Sequence, residues 1–141
     1  MNSISWKYVS PLKDTAAIDK IEKKYHYVLP EEFKSCVLQN NAGMPSRSIL
    51  KRPENEYVFG GLMSFNKDDA DNIYDFIELF EVDDGKELKL FPFGLDPFGN
   101  FYCFNNGKVV YYDHESDQSK FIAESCAEFL GDLSESWIFG K

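Results

Sequence analysis

The chain has 141 residues, 43% hydrophobic and 16% aromatic, which supplies enough apolar surface for one cored domain and excludes disorder of the whole chain. Its 24 acidic residues outnumber 15 basic ones, a net charge of −9, so direct binding to a nucleic-acid backbone is not expected, whereas a basic protein surface would be attracted. No apolar run approaches the roughly 18–20 residues of a membrane span, Met1 to Tyr8 shows no basic stretch followed by an apolar one, and Cys36, Cys103 and Cys126 are three widely spaced cysteines that fit reduced thiols, so a single cytoplasmic domain over residues 1–141 is the expectation.

The first helical pattern runs from about Asp14 to Tyr27, where Ile18, Ile21 and Tyr25 recur at helical spacing and Asp14 or Thr15 can cap the first turn. Pro30 suits the first position of a second helix, Glu31 and Glu32 complement its dipole, and Phe33 and Val37 form its buried stripe. Asn40-Asn41-Ala42-Gly43 is a stop, because Asn and Gly tolerate left-handed backbone. A short strand is expected around Ile49 and Leu50 and another at Tyr57-Val58-Phe59, with a break at Gly60-Gly61. From Asn66 to Val82 the spacing of Ile73, Phe76, Ile77 and Phe80 predicts a third helix, ended by Asp83-Asp84-Gly85.

A β-rich stretch follows. Leu88 to Phe93 and Phe101 to Phe104 read as strands on either side of the turn-rich loop Gly94 to Asn100. Asn106-Gly107 predicts a two-residue hairpin turn leading into a strand over Val109 to Asp113. His114 to Ser119 is polar and loop-like, and Phe121-Ile122-Ala123 adds a short strand. Ser125 and Glu128 have capping-box spacing ahead of a last helix through Phe129, Leu130 and Leu133, after which Trp137, Ile138 and Phe139 are expected to dock on the core. The order is that of an α+β domain with a mainly antiparallel sheet and about four helices.

Several of these stretches together resemble the SMI1/KNR4 (SUKH) superfamily. They are Leu29-Pro30 with Phe33, Asn40 to Gly43, Phe91-Pro92-Phe93-Gly94 with Gly99-Asn100, Val109 to Glu115, and Ala123-Glu124-Ser125 with Phe129-Leu130, so that the similarity spans about Ala17 to Leu133. The resemblance implies a central twisted sheet flanked by helices and no catalytic residues. Many bacterial members are immunity proteins that bind and neutralise a cognate polymorphic toxin, often a nuclease; some eukaryotic relatives act in cell-wall and signalling regulation. An immunity protein is therefore the leading expectation, with a regulatory interaction module as the alternative.

Catalytic chemistry has little to draw on. His26 ends the first helix, and His114 lies in Asp113-His114-Glu115, where a carboxylate could orient it as a base, although a turn is the simpler reading. The cysteines lack the close pairing of a zinc site, Gly60-Gly61 lacks the Lys-Ser or Lys-Thr of a phosphate loop, and Asp96, Gly99 and Asn100 lack calcium-loop spacing. No catalytic residue, metal or cofactor is expected.

Charge is the informative feature. Asp68 to Asp84 contains eight acidic residues and no basic one. Such a run is a solvated helix face in most proteins, but like charges at helical spacing weaken a helix by about 0.2–0.5 kcal/mol per pair, and the same charges would speed encounter with a basic cleft. Asp71, Asp75, Glu78, Asp83 and Asp84 are the expected charged part of a toxin-binding surface. Tyr74 and Phe98, with Tyr57 as a further candidate, are the expected aromatic anchors, core packing being the simpler reading of each.

Overall fold

The computed structural model describes residues 4–135. The expected docking of Trp137, Ile138 and Phe139 lies outside them. In chain order the elements are β1 (Trp6–Lys7), α1 (Ala17–Tyr25), α2 (Glu31–Asn40), β2 (Met44–Pro45), β3 (Ile49–Arg52), β4 (Asn55–Val58), β5 (Gly61–Leu62), α3 (Ile73–Ile77) with a 3₁₀ turn at Glu78–Phe80, β6 (Glu81–Val82), β7 (Glu87–Leu88), β8 (Phe91–Leu95), β9 (Phe101–Asn105), β10 (Lys108–Asp113), β11 (Gln118–Ala123), α4 (Cys126–Gly131) and β12 (Leu133–Ser134). The fold is α+β, as expected.

Five strands form the main sheet in the order β11-β10-β9-β8-β5, antiparallel throughout. Asn106 and Gly107 take φ values of 53° and 85°, the left-handed pair that a two-residue hairpin needs, and so join β9 to β10 in the expected way. Phe101 to Phe104 are all buried, because the sheet is covered on both faces. Phe101 meets Phe76 and Phe80 beneath α3, with ring centroids 5.5 and 5.6 Å away. Its neighbours Tyr102 and Phe104 point the other way: Tyr102 meets Phe59 and Phe129 of α4, and Phe104 stacks on Phe93 at 4.3 Å with Phe33 of α2 edge-on at 5.0 Å. A second sheet, β12-β3-β4, is tied to the first by Arg52, whose Nε donates to the Ile122 carbonyl at 2.8 Å while its guanidinium meets Asp132 at 3.1 Å.

Several local expectations are corrected. Pro30 is the N-cap of α2, in extended conformation, rather than its first helical residue; its carbonyl accepts from Lys34 N. After α2 the left-handed residue is Ala42 (φ 67°), not an Asn, because Asn41 is buried and its side chain is used elsewhere. The strand expected over Leu88 to Phe93 is two strands, β7 and β8. β11 begins at Gln118 rather than Phe121, since β10 offers a partner register as far as Asp113↔Gln118. The Ser125 hydroxyl accepts from Glu128 N at 3.0 Å, but the Glu128 carboxylate turns to Arg52 at 3.5 Å instead of closing the capping box.

The largest correction concerns Asn66 to Val82. Only Ile73–Ile77 is α-helical; the chain before it is a loop, and the chain after it tightens into 3₁₀ geometry and then enters the β6–β7 hairpin. Asp68, Asp69 and Asp71 are therefore not on a helix face.

Candidate partner-binding surface

A buried polar knot holds the loop ahead of α3. Asn41, only 1% exposed, accepts from Phe65 N through Oδ1 (2.8 Å) and donates through Nδ2 to the Ser10 carbonyl (2.9 Å) and to Ser64 Oγ (3.0 Å). Ser64 donates its hydroxyl to Asp69 at 2.6 Å, and Asn66 Nδ2 donates to the Pro11 carbonyl at 2.9 Å. The Ser64 hydroxyl, aided by Ser10 and Asn66, holds the Asp69 carboxyl below its ordinary value. Asn72 then caps α3: its Oδ1 accepts from Asp75 N and its Nδ2 donates to the Asp75 carboxylate, both at 3.0 Å.

This scaffold sorts the acidic run into two groups. Asp69 is drawn inward, Asp68 pairs with Lys13 at 3.9 Å, and Glu81 accepts from the Tyr25 hydroxyl at 2.5 Å. Burial, reinforced by that carboxylate, pushes the Tyr25 phenol up. The other five, Asp71, Asp75, Glu78, Asp83 and Asp84, are exposed, and among the described residues none of them is paired with a Lys, Arg or His. Asp83 and Asp84, at φ 57° and 58°, form the turn of the β6–β7 hairpin.

The expected site residues do not share one helix face. Asp71 lines a cleft of about 530 Å³, whose floor is the edge strand β5 and whose walls include Tyr8, Met44, Leu95 and Pro97. Tyr74 and Glu78 line a second hollow of about 300 Å³ against α1. The Tyr74 hydroxyl donates to the Phe65 carbonyl at 3.0 Å, and Lys67 Nζ lies 5.4 Å from its ring, so Tyr74 is a half-buried wall rather than a projecting anchor. Tyr57 is 3% exposed and packs on Tyr111, which makes it a core residue.

Of the three expected aromatics it is Phe98 that projects, 74% exposed. Its loop is pinned: the buried Asp96 accepts from Phe98 N and Asn100 N, both at 2.8 Å, and from the Tyr111 hydroxyl, while Asn100 Nδ2 donates to Tyr111 at 2.9 Å. A fixed loop of this kind presents its ring with little conformational entropy left to lose on binding. Leu79 (61% exposed) and Val82 (40%) stand among the unpaired acids and were not among the expected site residues. Their signal was present in the sequence: Leu79 is apolar yet off the Ile73–Phe76–Ile77–Phe80 stripe.

The chemistry elsewhere is sparse. The His114 ring Nδ1 lies 3.1 Å from Asn100 Oδ1, while Asp113 accepts from Glu115 N instead of orienting the imidazole. Burial pushes the Cys126 thiol up to about 12 and Cys103 higher still, the behaviour of core thiols. Among the described residues no group of three or more His, Cys, Asp or Glu is placed to hold a metal ion, and no helix is long and apolar enough to cross a membrane.

The sheet thus carries helices on both faces, a pinned Phe98 loop and five exposed acids that have no ion-pair partner among the described residues. The SMI1 / KNR4 family (SUKH-1) matches residues 14–132, and the chain belongs to that family. No curated protein matches the chain.

Proposed function

We propose that this chain is a cytoplasmic immunity protein that neutralises a cognate toxin, a nuclease, by covering its basic cleft, and that it performs no catalysis itself. Family membership supports the class of function. The observation that carries the mechanism is the set of five exposed carboxylates that have no cationic partner among the described residues, Asp71, Asp75, Glu78, Asp83 and Asp84. An acid already paired within its own chain has less to offer a partner; these five keep their full field for steering. Charge alone does not hold a complex, because desolvating a carboxylate is costly unless it gains a good partner. Phe98, together with Leu79 and Val82, supplies the apolar contact that holds it, with Tyr74 as a wall of the same surface.

Charge reversal at Asp75 and Glu78 together tests the reading. Association with the toxin encoded beside this gene, followed by stopped flow, is expected to slow by about tenfold at low salt and to lose much of its salt dependence. An unchanged rate would remove this surface from the interface. Survival of cells producing that toxin reports the function directly: lethality in the presence of this protein would favour the regulatory alternative.

A further inference from the structure

The cleft beside β5 is lined by three aspartates, Asp69, Asp71 and Asp96, and, among the described residues, by no Lys, Arg or His; most of its remaining lining is apolar. One sign of charge between low-dielectric walls concentrates the field in the cleft. Two of the three acids are spent, Asp69 on Ser64 and Asp96 on the Tyr111 hydroxyl and two backbone amides, which leaves Asp71 exposed and without an ion-pair partner among the described residues. Tyr8, 77% exposed and held at φ 61°, presents a ring to the same cleft.

The complementary group is a cation with an apolar stem and a flat face. Arginine has all three features, whereas lysine lacks the planar head that both stacks on a ring and meets a carboxylate through two parallel hydrogen bonds. We propose that this cleft receives an arginine side chain of the partner protein, its stem against Met44, Leu62 and Pro97 and its guanidinium on Asp71 with Tyr8 alongside. The inference rests on the reading above only in taking the occupant to belong to the neutralised protein; it places a specific contact beside β5.

The test needs no toxin. End-blocked arginine amide, with its lysine and citrulline counterparts, is titrated into the ¹⁵N-labelled full chain. Expected are saturable shifts of the Gly61, Leu62, Ala70 and Asp71 amides with arginine, at least threefold weaker binding of lysine, and none with neutral citrulline. Asp71→Asn is expected to weaken arginine binding at least fivefold. Tyr8→Gly, which keeps the left-handed backbone while removing the ring, should weaken it by a smaller factor. Equal binding of citrulline, unaltered binding by Asp71→Asn, shifts confined to the β6–β7 turn, or a concentration-dependent dimer seated on the cleft would each overturn the proposal. A silent cleft in a protein that still captures the toxin would sink this inference and leave the proposed function standing; arginine in the cleft with no toxin complex would do the reverse.

Discussion

Asn41 and Asp69 show how single side chains hold the acidic loop in place. Asn41→Ala removes the acceptor of the buried Phe65 N–H and is expected to cost about 1–3 kcal/mol in urea unfolding. Asp69 carries a pH signature. Its folded value lies below its ordinary one, so its contribution is complete above the ordinary aspartate value of about 4 and is lost as pH falls through the lowered folded value. Asp69→Asn should be less stable than the parent at pH 6, and the gap should close as the pH is lowered towards about 2; a constant gap would contradict the assignment. None of this inward turn was legible beforehand, because Ser10 reaches Asp69, and Asn41 reaches Ser64, only through tertiary folding. The exposure of Phe98 was legible, since it stands between Pro97 and Gly99 in a turn-rich loop. Tyr57 follows the core-packing alternative, because tertiary folding buries its ring against Tyr111.

At the level of elements, α2 and the β9–β10 hairpin lie where spacing put them, whereas α1 spans only Ala17–Tyr25 with Ala16, not Asp14 or Thr15, at its N-cap, and α4 keeps its Ser125 cap but stops at Gly131, so that Leu133 falls in β12 rather than in the last helix. The long helix over Asn66 to Val82 did not form. Its apolar stripe is genuine only from Ile73, and the preceding stretch is rich in Asp and Asn, which compete for backbone groups in non-helical conformations and repel one another at helical spacing. The decisive residue is Asn72, which stands three before Asp75 in the arrangement of a cap. Asn72→Ala is expected to destabilise the protein by about 1 kcal/mol, read from the shift in urea midpoint at constant slope. The same variant should weaken toxin capture, since Asp75 and Glu78 are presented by the turn it starts. Gly94 marks a second constraint of this kind: a Cβ there would run into Phe59 in the aromatic core, and Gly94→Ala is expected to cost about 1–3 kcal/mol.

Over the whole molecule, charge and core are kept apart. The aromatic interior fixes the sheet, while the five acids without an ion-pair partner among the described residues stand on the surface around it. The overall charge and the existence of an acidic surface were readable from composition; its division between a cleft, a helix turn and a hairpin tip was not, because that depends on where the chain turns. The account predicts a stoichiometric partner rather than a substrate, with encounter driven by charge and retention by a few apolar contacts. The most direct measurement is isothermal titration of this protein with the toxin domain encoded beside it, at low and at physiological salt. A one-to-one complex that abolishes the toxin's nuclease activity and weakens as salt rises is expected. No complex at micromolar concentration in low salt, or a complex that leaves the toxin active, would contradict it.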